Sequence, residues 1–259
     1  MTQFDYFIVL AEMRTGSNLL EINLNALDGI TCHGEAFNPA FVGGPKLADL
    51  LGFDQDRREA DPHGLLAAIK DSDVLAGFRF FHDHDPRILT TCMADPRCAK
   101  VILPRNPVES FVSWKIAQST GQWKLTNATR AKSRRIDFVM DDFQAHLAAV
   151  NGFQTRITRD LQTTGQTAFR LTYEDLHDVD VINGLAAFLG AEARLNSVNK
   201  KLKKQNPEPL SAKVRNFDQM QDALRDMDRF DLHHSPHFEP KRGPALPPYV
   251  AAPRSGLMY

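Results

Sequence analysis

Short apolar runs alternate with helically spaced apolar positions along most of the chain. Runs rich in aromatic or β-branched residues predict buried strands at 4–10, 30–32, 74–81, 100–103 and 168–172. Between them, apolar residues spaced three or four apart predict helices at 17–27, 62–70, 86–94, 107–119, 136–163 and 180–190. Strands that alternate with helices favour a mostly parallel central sheet covered by helices on both faces. We therefore expect a three-layer α/β fold in a single domain, 1–259.

Two segments depart from this alternation. Residues 199–215 carry six basic side chains and one acid, Glu208. From 235 to 259 the chain contains six prolines, which exclude a long helix or a central strand. This Pro-rich C-terminal tail is expected to wrap the surface, to contact a partner or to be a flexible end.

Composition narrows the function classes. The 259 residues include 31 Lys and Arg against 32 Asp and Glu, so the formal net charge is −1, and a globally basic nucleic-acid coat is excluded. The longest apolar run, 6–11, is too short to span a membrane, and no secretory signal is visible. Three cysteines, Cys32, Cys92 and Cys98, lack zinc-type spacing and favour reduced thiols in a cytoplasmic protein.

The loop after the first predicted strand carries candidate anion-binding chemistry. Residues 12–20 read E-M-R-T-G-S-N-L-L, and open α/β sheets bind ligands at the carboxyl ends of their strands. Gly16 permits close backbone approach, Thr15, Ser17 and Asn18 supply short polar side chains, and Arg14 supplies a fixed charge. An ordinary helix N-cap is the alternative. Neither a Walker A motif nor a G-x-G-x-x-G after a strand is present.

A second strand end carries a similar chemistry. The run K-V-I-L-P at 100–104 precedes Arg105-Asn106-Pro107, and Pro107 suits the first turn of a helix. Arg105 stands at the strand end and Ser113 lies two turns into the helix, so both could contact one phosphate.

These segments together resemble the PAPS-dependent sulfotransferases, which use 3′-phosphoadenosine 5′-phosphosulfate (PAPS) as the sulfuryl donor. The Arg-Asn-Pro segment with a Ser eight residues after the Arg is similar to that family's 3′-phosphate-binding segment, and 12–20 to its 5′-phosphosulfate loop. Y-E-D-L at 173–176 and F-L-G at 188–190 match two further elements. The closer likeness is to bacterial enzymes of the trehalose, lipopolysaccharide and nodulation-factor type, which follow the loop with an acidic segment, here C-H-G-E-A-F-N at 32–38.

The resemblance implies a P-loop-like fold and the transfer of a sulfuryl group to a hydroxyl of a carbohydrate, glycolipid or small molecule. The donor would be bound by Arg14, Thr15, Gly16, Ser17, Asn18, Leu19, Arg105, Ser113, Lys203 and Lys204. Arg215 is a further candidate for the 3′-phosphate. Arg14 would stabilise charge on the leaving phosphate, and no metal is required. Glu35 is the first choice for the base that accepts the hydroxyl proton, and His82 is the second.

Two other functions stay open from the sequence. One is a nucleotide-dependent phosphotransferase with a degenerate phosphate loop, and the other is a non-catalytic nucleotide-binding protein. The resemblance is compatible with a homodimer and with a cytoplasmic location, at the inner membrane face if the acceptor is a lipid.

Overall fold

The computed structural model describes residues 3–123, 134–199 and 208–226 of the chain. Its strands are β1 (Tyr6–Leu10), β2 (Ile30–Cys32), β3 (Leu75–Phe80), β4 (Cys98–Ile102) and β5 (Phe169–Arg170). Its α-helices are α1 (Ser17–Leu24), α2 (Gln55–Ala60), α3 (Pro62–Lys70), α4 (Pro86–Ala94), α5 (Pro107–Thr120), α6 (Met140–Thr164), α7 (Val179–Phe188), α8 (Leu210–Lys213) and α9 (Phe217–Asp226). A 3-10 helix, Glu174–His177, precedes α7.

The five strands form one sheet in the order β2-β3-β1-β4-β5, and all four pairings between them are parallel. The central strand β1 is buried along its whole length, and its Ile8 lies opposite Phe78 of β3 and Lys100 of β4. The expected α/β class, with a parallel sheet flanked by helices, is confirmed. The connection after β1 leads toward β2 and the one after β4 leads toward β5, so the strand order reverses beside β1. Parallel sheets bind ligands at such a switch point.

The described residues divide into two compact units. The first contains residues 3–103 and 149–199, and with them the whole sheet. Its core is an aliphatic and aromatic cluster that includes Ile8, Phe37, Phe78, Phe80 and Ile88.

The second unit contains residues 104–123, 134–148 and 208–226. Its core is built on Phe111, whose ring lies 5.3 Å from that of Phe138 and 5.4 Å from that of Phe143. Met220 and Leu224, four residues apart on α9, are buried in the same core. The single-domain expectation for 1–259 stays a prediction, and the Pro-rich tail at 235–259 lies outside the described residues.

Some element boundaries differ from those that the apolar pattern predicts. The helix predicted from 136 begins at Met140, because Ile136 forms a parallel bridge with Val214. The backbone N–H of Ile136 donates to Lys213 O, and Arg215 N donates to Ile136 O. An extended residue held by two such bonds cannot also close a helical turn.

Candidate active site

The loop between β1 and α1 presents the start of a helix without a side-chain cap. Gly16 is the N-cap of α1 and adopts a left-handed conformation with φ 97°, so this position provides no side-chain cap for the helix. Arg14 is also left-handed, with φ 67°. The Thr15 hydroxyl donates to Glu12 O at 2.8 Å, so it closes the loop on itself. The backbone N–H groups and the dipole at a helix N-terminus favour negative charge.

The Y-E-D-L segment packs directly on this loop and explains the need for glycine at position 16. A Cβ at Gly16 would lie 2.7 Å from Leu176 Cδ1 and 2.8 Å from Tyr173 Cδ2, both too close for carbon atoms. Asp175 fixes the segment by accepting the backbone N–H of Thr172 at 2.7 Å. Two of the motifs that carry the resemblance are therefore one structural element.

A buried arginine on β3, which the sequence analysis did not single out, connects α1 with the segment after β2. Arg79 is 3% exposed. Its Nη1 donates to Ser17 Oγ at 3.2 Å and lies 3.0 Å from Glu35 Oε1. Its Nε lies 2.6 Å from Glu21 Oε2 without hydrogen-bond alignment. An arginine inside an apolar strand was the available signal, because a buried guanidinium requires partners.

Glu35 lies in a tight turn, and both of its carboxylate oxygens are engaged. Oε1 pairs with Arg79, and Oε2 accepts from Asn38 Nδ2 at 2.7 Å. Gly34 before it has φ 65°, and a Cβ there would lie 2.1 Å from Gly43 O. The backbone of Glu35 and Gly43 forms an antiparallel bridge, so this turn holds the carboxylate in place.

His82, after β3, pairs with Glu12, after β1. His82 Nδ1 lies 2.7 Å from Glu12 Oε2, and the backbone N–H of His82 donates to Glu12 Oε1 at 3.3 Å. The hydrogen bond with Glu12 raises the pKa of the His82 imidazole. Burial raises the pKa of the Glu12 carboxyl, and the bond from His82 opposes that effect. The sequence singles out His82 but not its pairing with Glu12.

His84 has a different environment from His82. Its side chain is fully buried between Phe80 and Phe81, with ring centroids 5.2 and 4.9 Å away. Burial lowers the pKa of the His84 imidazole to about 3, with further lowering from the charge of Arg79. His84 is therefore neutral at ordinary pH. Its Nε2 lies 3.8 Å from Glu35 Oε2, beyond hydrogen-bond distance.

The Arg-Asn-Pro segment belongs to the second unit and begins α5. Asn106 is the N-cap, and its Oδ1 accepts the backbone N–H groups of Val108 at 3.0 Å and Glu109 at 3.1 Å. Arg105 Nη2 donates to Glu109 Oε2 at 3.0 Å. Ser113 is buried on the same helix. The predicted helix start is thus found, while the phosphate-binding roles of Arg105 and Ser113 stay predictions.

The basic stretch at 199–215 lies partly outside the described residues, and Lys203 and Lys204 are among the residues not described. Arg215 is described. Its guanidinium forms an ion pair with Asp137, and its Nη1 donates to Arg135 O at 2.8 Å. In this structure Arg215 therefore braces the strand-like segment before α6.

Within the described ranges, no group of three or more His, Cys, Asp or Glu side chains could hold a metal ion. No helix in that part of the chain is long and apolar enough to cross a bilayer. Cys32, Cys92 and Cys98 are buried and form no disulfide.

The parallel sheet flanked by helices and the glycine turn after β1 define an α/β protein. No protein-family model matches the chain. Nodulation protein H of Rhizobium tropici is 24% identical over 217 residues, which cover 82% of this chain and 86% of that protein. The resemblance to sulfotransferases of the nodulation-factor type is confirmed.

Two solved structures match the chain. A sulfotransferase from Alicyclobacillus acidocaldarius matches with a TM-score of 0.49 and 17% identity, over 87% of this chain and 93% of that one. Mouse sulfotransferase SULT7A1, in complex with PAP, matches with a TM-score of 0.41 and 14% identity, over 73% of this chain and 60% of that one.

Proposed function

We propose that this chain is a PAPS-dependent sulfotransferase that transfers a sulfuryl group to a hydroxyl of a carbohydrate, glycolipid or small-molecule acceptor. The observation that carries the proposal is the loop 12–19. It joins an uncapped helix start, a left-handed Gly16 and the cation Arg14 at the carboxyl end of the central strand. These are the requirements for binding the 5′-phosphosulfate, and the relationship to nodulation protein H supports this assignment.

Sulfuryl transfer requires stabilisation of the leaving group. The acceptor oxygen forms a bond to sulfur while the bond from sulfur to the 5′-phosphate breaks, and adenosine 3′,5′-bisphosphate leaves with the bonding electrons. Negative charge grows on the bridging oxygen, so a fixed cation beside it stabilises the transition state more than the ground state. Arg14 supplies that charge, and Gly16, Ser17 and Asn18 supply backbone N–H groups. The N–H of Leu19 donates to Gly16 O at 2.8 Å and closes the turn that presents them.

The 3′-phosphate of the donor distinguishes PAPS from other adenine nucleotides. We assign its binding to Arg105 and Ser113, together with Lys203 and Lys204. Arginine suits this role because its planar guanidinium binds a phosphate through two parallel hydrogen bonds.

The acceptor hydroxyl transfers its proton to a base, for which Glu35 and His82 are the candidates. Both oxygens of Glu35 are held, by Arg79 and Asn38, whereas the His82 side chain is 24% exposed. These contacts favour His82 as the base and Glu35 as a structural anion, which reverses the order that the sequence suggested. Glu35→Gln and His82→Gln, compared in single-turnover transfer, identify the base as the residue whose loss abolishes transfer without loss of nucleotide affinity.

The experiment that tests this function is calorimetric titration without magnesium. Adenosine 3′,5′-bisphosphate should bind at least tenfold more tightly than 5′-AMP, and Arg105→Ala should remove that preference. Equal affinities would refute the assignment and favour a phosphotransferase or another nucleotide-binding protein.

Turnover is measured with ³⁵S-labelled PAPS and with trehalose and lipopolysaccharide as probe acceptors. Arg14→Ala should cost about 3 kcal/mol of transition-state stabilisation, roughly a hundredfold in rate, as for the loss of one oxyanion-hole donor. A surface arginine, Arg97, provides the matched control as Arg97→Ala. Near-normal turnover of Arg14→Ala would remove Arg14 from the mechanism.

A further inference from the structure

The pair formed by Glu12 and His82 has the geometry of a carboxylate that orients an imidazole. Glu12 is 5% exposed, and both of its oxygens face the same residue. Oε2 lies 2.7 Å from the ring Nδ1, and Oε1 accepts the backbone N–H at 3.3 Å. The carboxylate therefore contacts both the ring and the backbone of His82, and it fixes the ring orientation against the main chain.

This contact determines which ring nitrogen is available for proton transfer. A carboxylate accepts a hydrogen bond but cannot donate one, so the proton of a neutral His82 resides on Nδ1. The lone pair is then on Nε2, the nitrogen that does not face Glu12. The same carboxylate stabilises the imidazolium that forms when Nε2 accepts a proton.

The position of the pair connects it to the proposed reaction. Glu12 lies two residues before Arg14, in the same loop, and its backbone carbonyl holds the Thr15 hydroxyl. His82 follows β3, the neighbour of β1 in the sheet. Since β1 and β3 are parallel, Glu12 and His82 both lie at the carboxyl edge of the sheet. A buried carboxylate is costly to maintain for packing alone, because its desolvation must be offset.

We propose that Glu12 is a positioning residue that holds His82 with its Nε2 as the proton acceptor for the acceptor hydroxyl. This proposal rests on the proposed sulfotransferase function. In the step, the hydroxyl proton moves to Nε2, the oxygen forms its bond to sulfur, and the bond to the leaving phosphate breaks. The imidazolium, paired with Glu12, then releases its proton to solvent.

Two acidic groups act on the His82 ring. The hydrogen bond with Glu12 is the largest cause that raises the pKa of His82; burial lowers it, and the charges of Glu12 and of the adjacent Asp83 raise it further. The imidazole of His84, whose pKa burial lowers to about 3, is neutral and adds no charge there. Replacing Glu12 by a neutral side chain should therefore lower the pKa of His82.

The test measures the tautomer and the titration of His82 directly. Long-range ¹H–¹⁵N NMR of the full chain compares the wild type with Glu12→Gln, with Glu192→Gln as a control at an exposed carboxylate. We expect the Nδ1–H tautomer and a pKa above about 6.5 in the wild type. In Glu12→Gln we expect a mixture of tautomers and a lower pKa. An unchanged tautomer and pKa in Glu12→Gln would overturn the positioning role.

Kinetics supply a second readout. A histidine base acts in its neutral form, so the rate of transfer from PAPS rises with pH through the pKa of His82. In the pH–rate profile of Glu12→Gln, the rise in rate on the acidic side, the acidic limb, should move to lower pH. The rate on the plateau above it should fall at least tenfold. His82→Gln should abolish the limb, whereas His63→Gln, at an exposed histidine, should keep it. A limb that stays in place in Glu12→Gln contradicts the proposal.

Affinity for adenosine 3′,5′-bisphosphate separates this proposal from the function on which it rests. Wild-type affinity in Glu12→Gln, with the altered His82 signals, supports the positioning role. Absence of nucleotide binding by the wild type refutes the sulfotransferase function, and with it the role of His82 as its base. If Glu12→Gln does not fold, Glu12→Asp replaces it, and a His82 pKa equal to that of the wild type overturns the positioning role.

Discussion

Removal of the Arg79 guanidinium should destabilise the fold more than removal of any exposed arginine. Arg79→Met keeps most of the side-chain volume but leaves Glu21 and Glu35 without their shared cation, and Ser17 Oγ without its donor. Loss of one partner of a buried ion pair costs about 3–5 kcal/mol. The two carboxylates are 20% and 15% exposed, so water compensates part of that cost.

We therefore expect Arg79→Met to lower the free energy of unfolding by about 3 kcal/mol, the lower end of that range. For a chain of this size, this corresponds to a fall of roughly 6–12 °C in Tm. The measurement is urea unfolding followed by circular dichroism, with thermal unfolding beside it.

Two comparisons make the result specific. Arg97→Met breaks an exposed pair with Asp5 and should cost much less, because water and salt screen a surface ion pair. The double variant Arg79→Met with Glu35→Gln removes one of the orphaned charges and should recover part of the loss. A cost for Arg79→Met no larger than that of Arg97→Met, or strict additivity in the double variant, would refute the network.

Three further predictions concern single positions. Gly34→Ala should lower Tm much more than Gly52→Ala does. Both glycines have positive φ, but only the added Cβ at Gly34 would clash with backbone atoms; equal Tm shifts would contradict this. Since the pKa of His84 is lowered to about 3, its protonation in the unfolded chain should destabilise the protein by roughly 2 kcal/mol as pH falls from 6.5 to 5. In urea unfolding, His84→Phe should abolish that loss and His63→Gln should retain it. Asn106→Ala should lower the free energy of unfolding by about 1 kcal/mol, because it removes the N-cap of α5. An unchanged free energy of unfolding would show that this cap does not stabilise the protein.

The sheet could be predicted from the sequence because its strands are short, continuous and apolar. A strand such as β1, buried on both faces, leaves an uninterrupted run of apolar residues. The loop after β1 was also predictable from the sequence. A glycine among short polar residues directly after a buried strand indicates a tight turn at the carboxyl end of that strand.

The pairings at the site could not be predicted, because they join residues far apart in the chain. Glu12 and His82 meet only when β1 and β3 become neighbours, and the order of strands does not follow from a pattern of apolar positions. Arg79 is a clearer case. An arginine within an apolar strand indicates that the guanidinium has partners, but the sequence does not identify them as Glu21 and Glu35.

Helices α8 and α9 were not predicted from the sequence, for a different reason. The apolar positions of α9, Phe217, Met220 and Leu224, do follow a helical spacing, but the surrounding residues are charged and the segment follows a basic stretch. A moderately apolar helix face is therefore easy to overlook beside a strong charge pattern.

The contact of Tyr173 and Leu176 with Gly16 has a consequence for biosynthesis. The loop that carries Arg14 leaves the ribosome early, whereas the side chains that pack on its glycine are made only after β4, α5 and α6. Contacts between such distant positions form late, because a long loop must close before they contribute. The growing chain therefore completes its sheet and the packing of this loop together, and in a nascent chain that ends before β5 the loop after β1 lacks its packing partners.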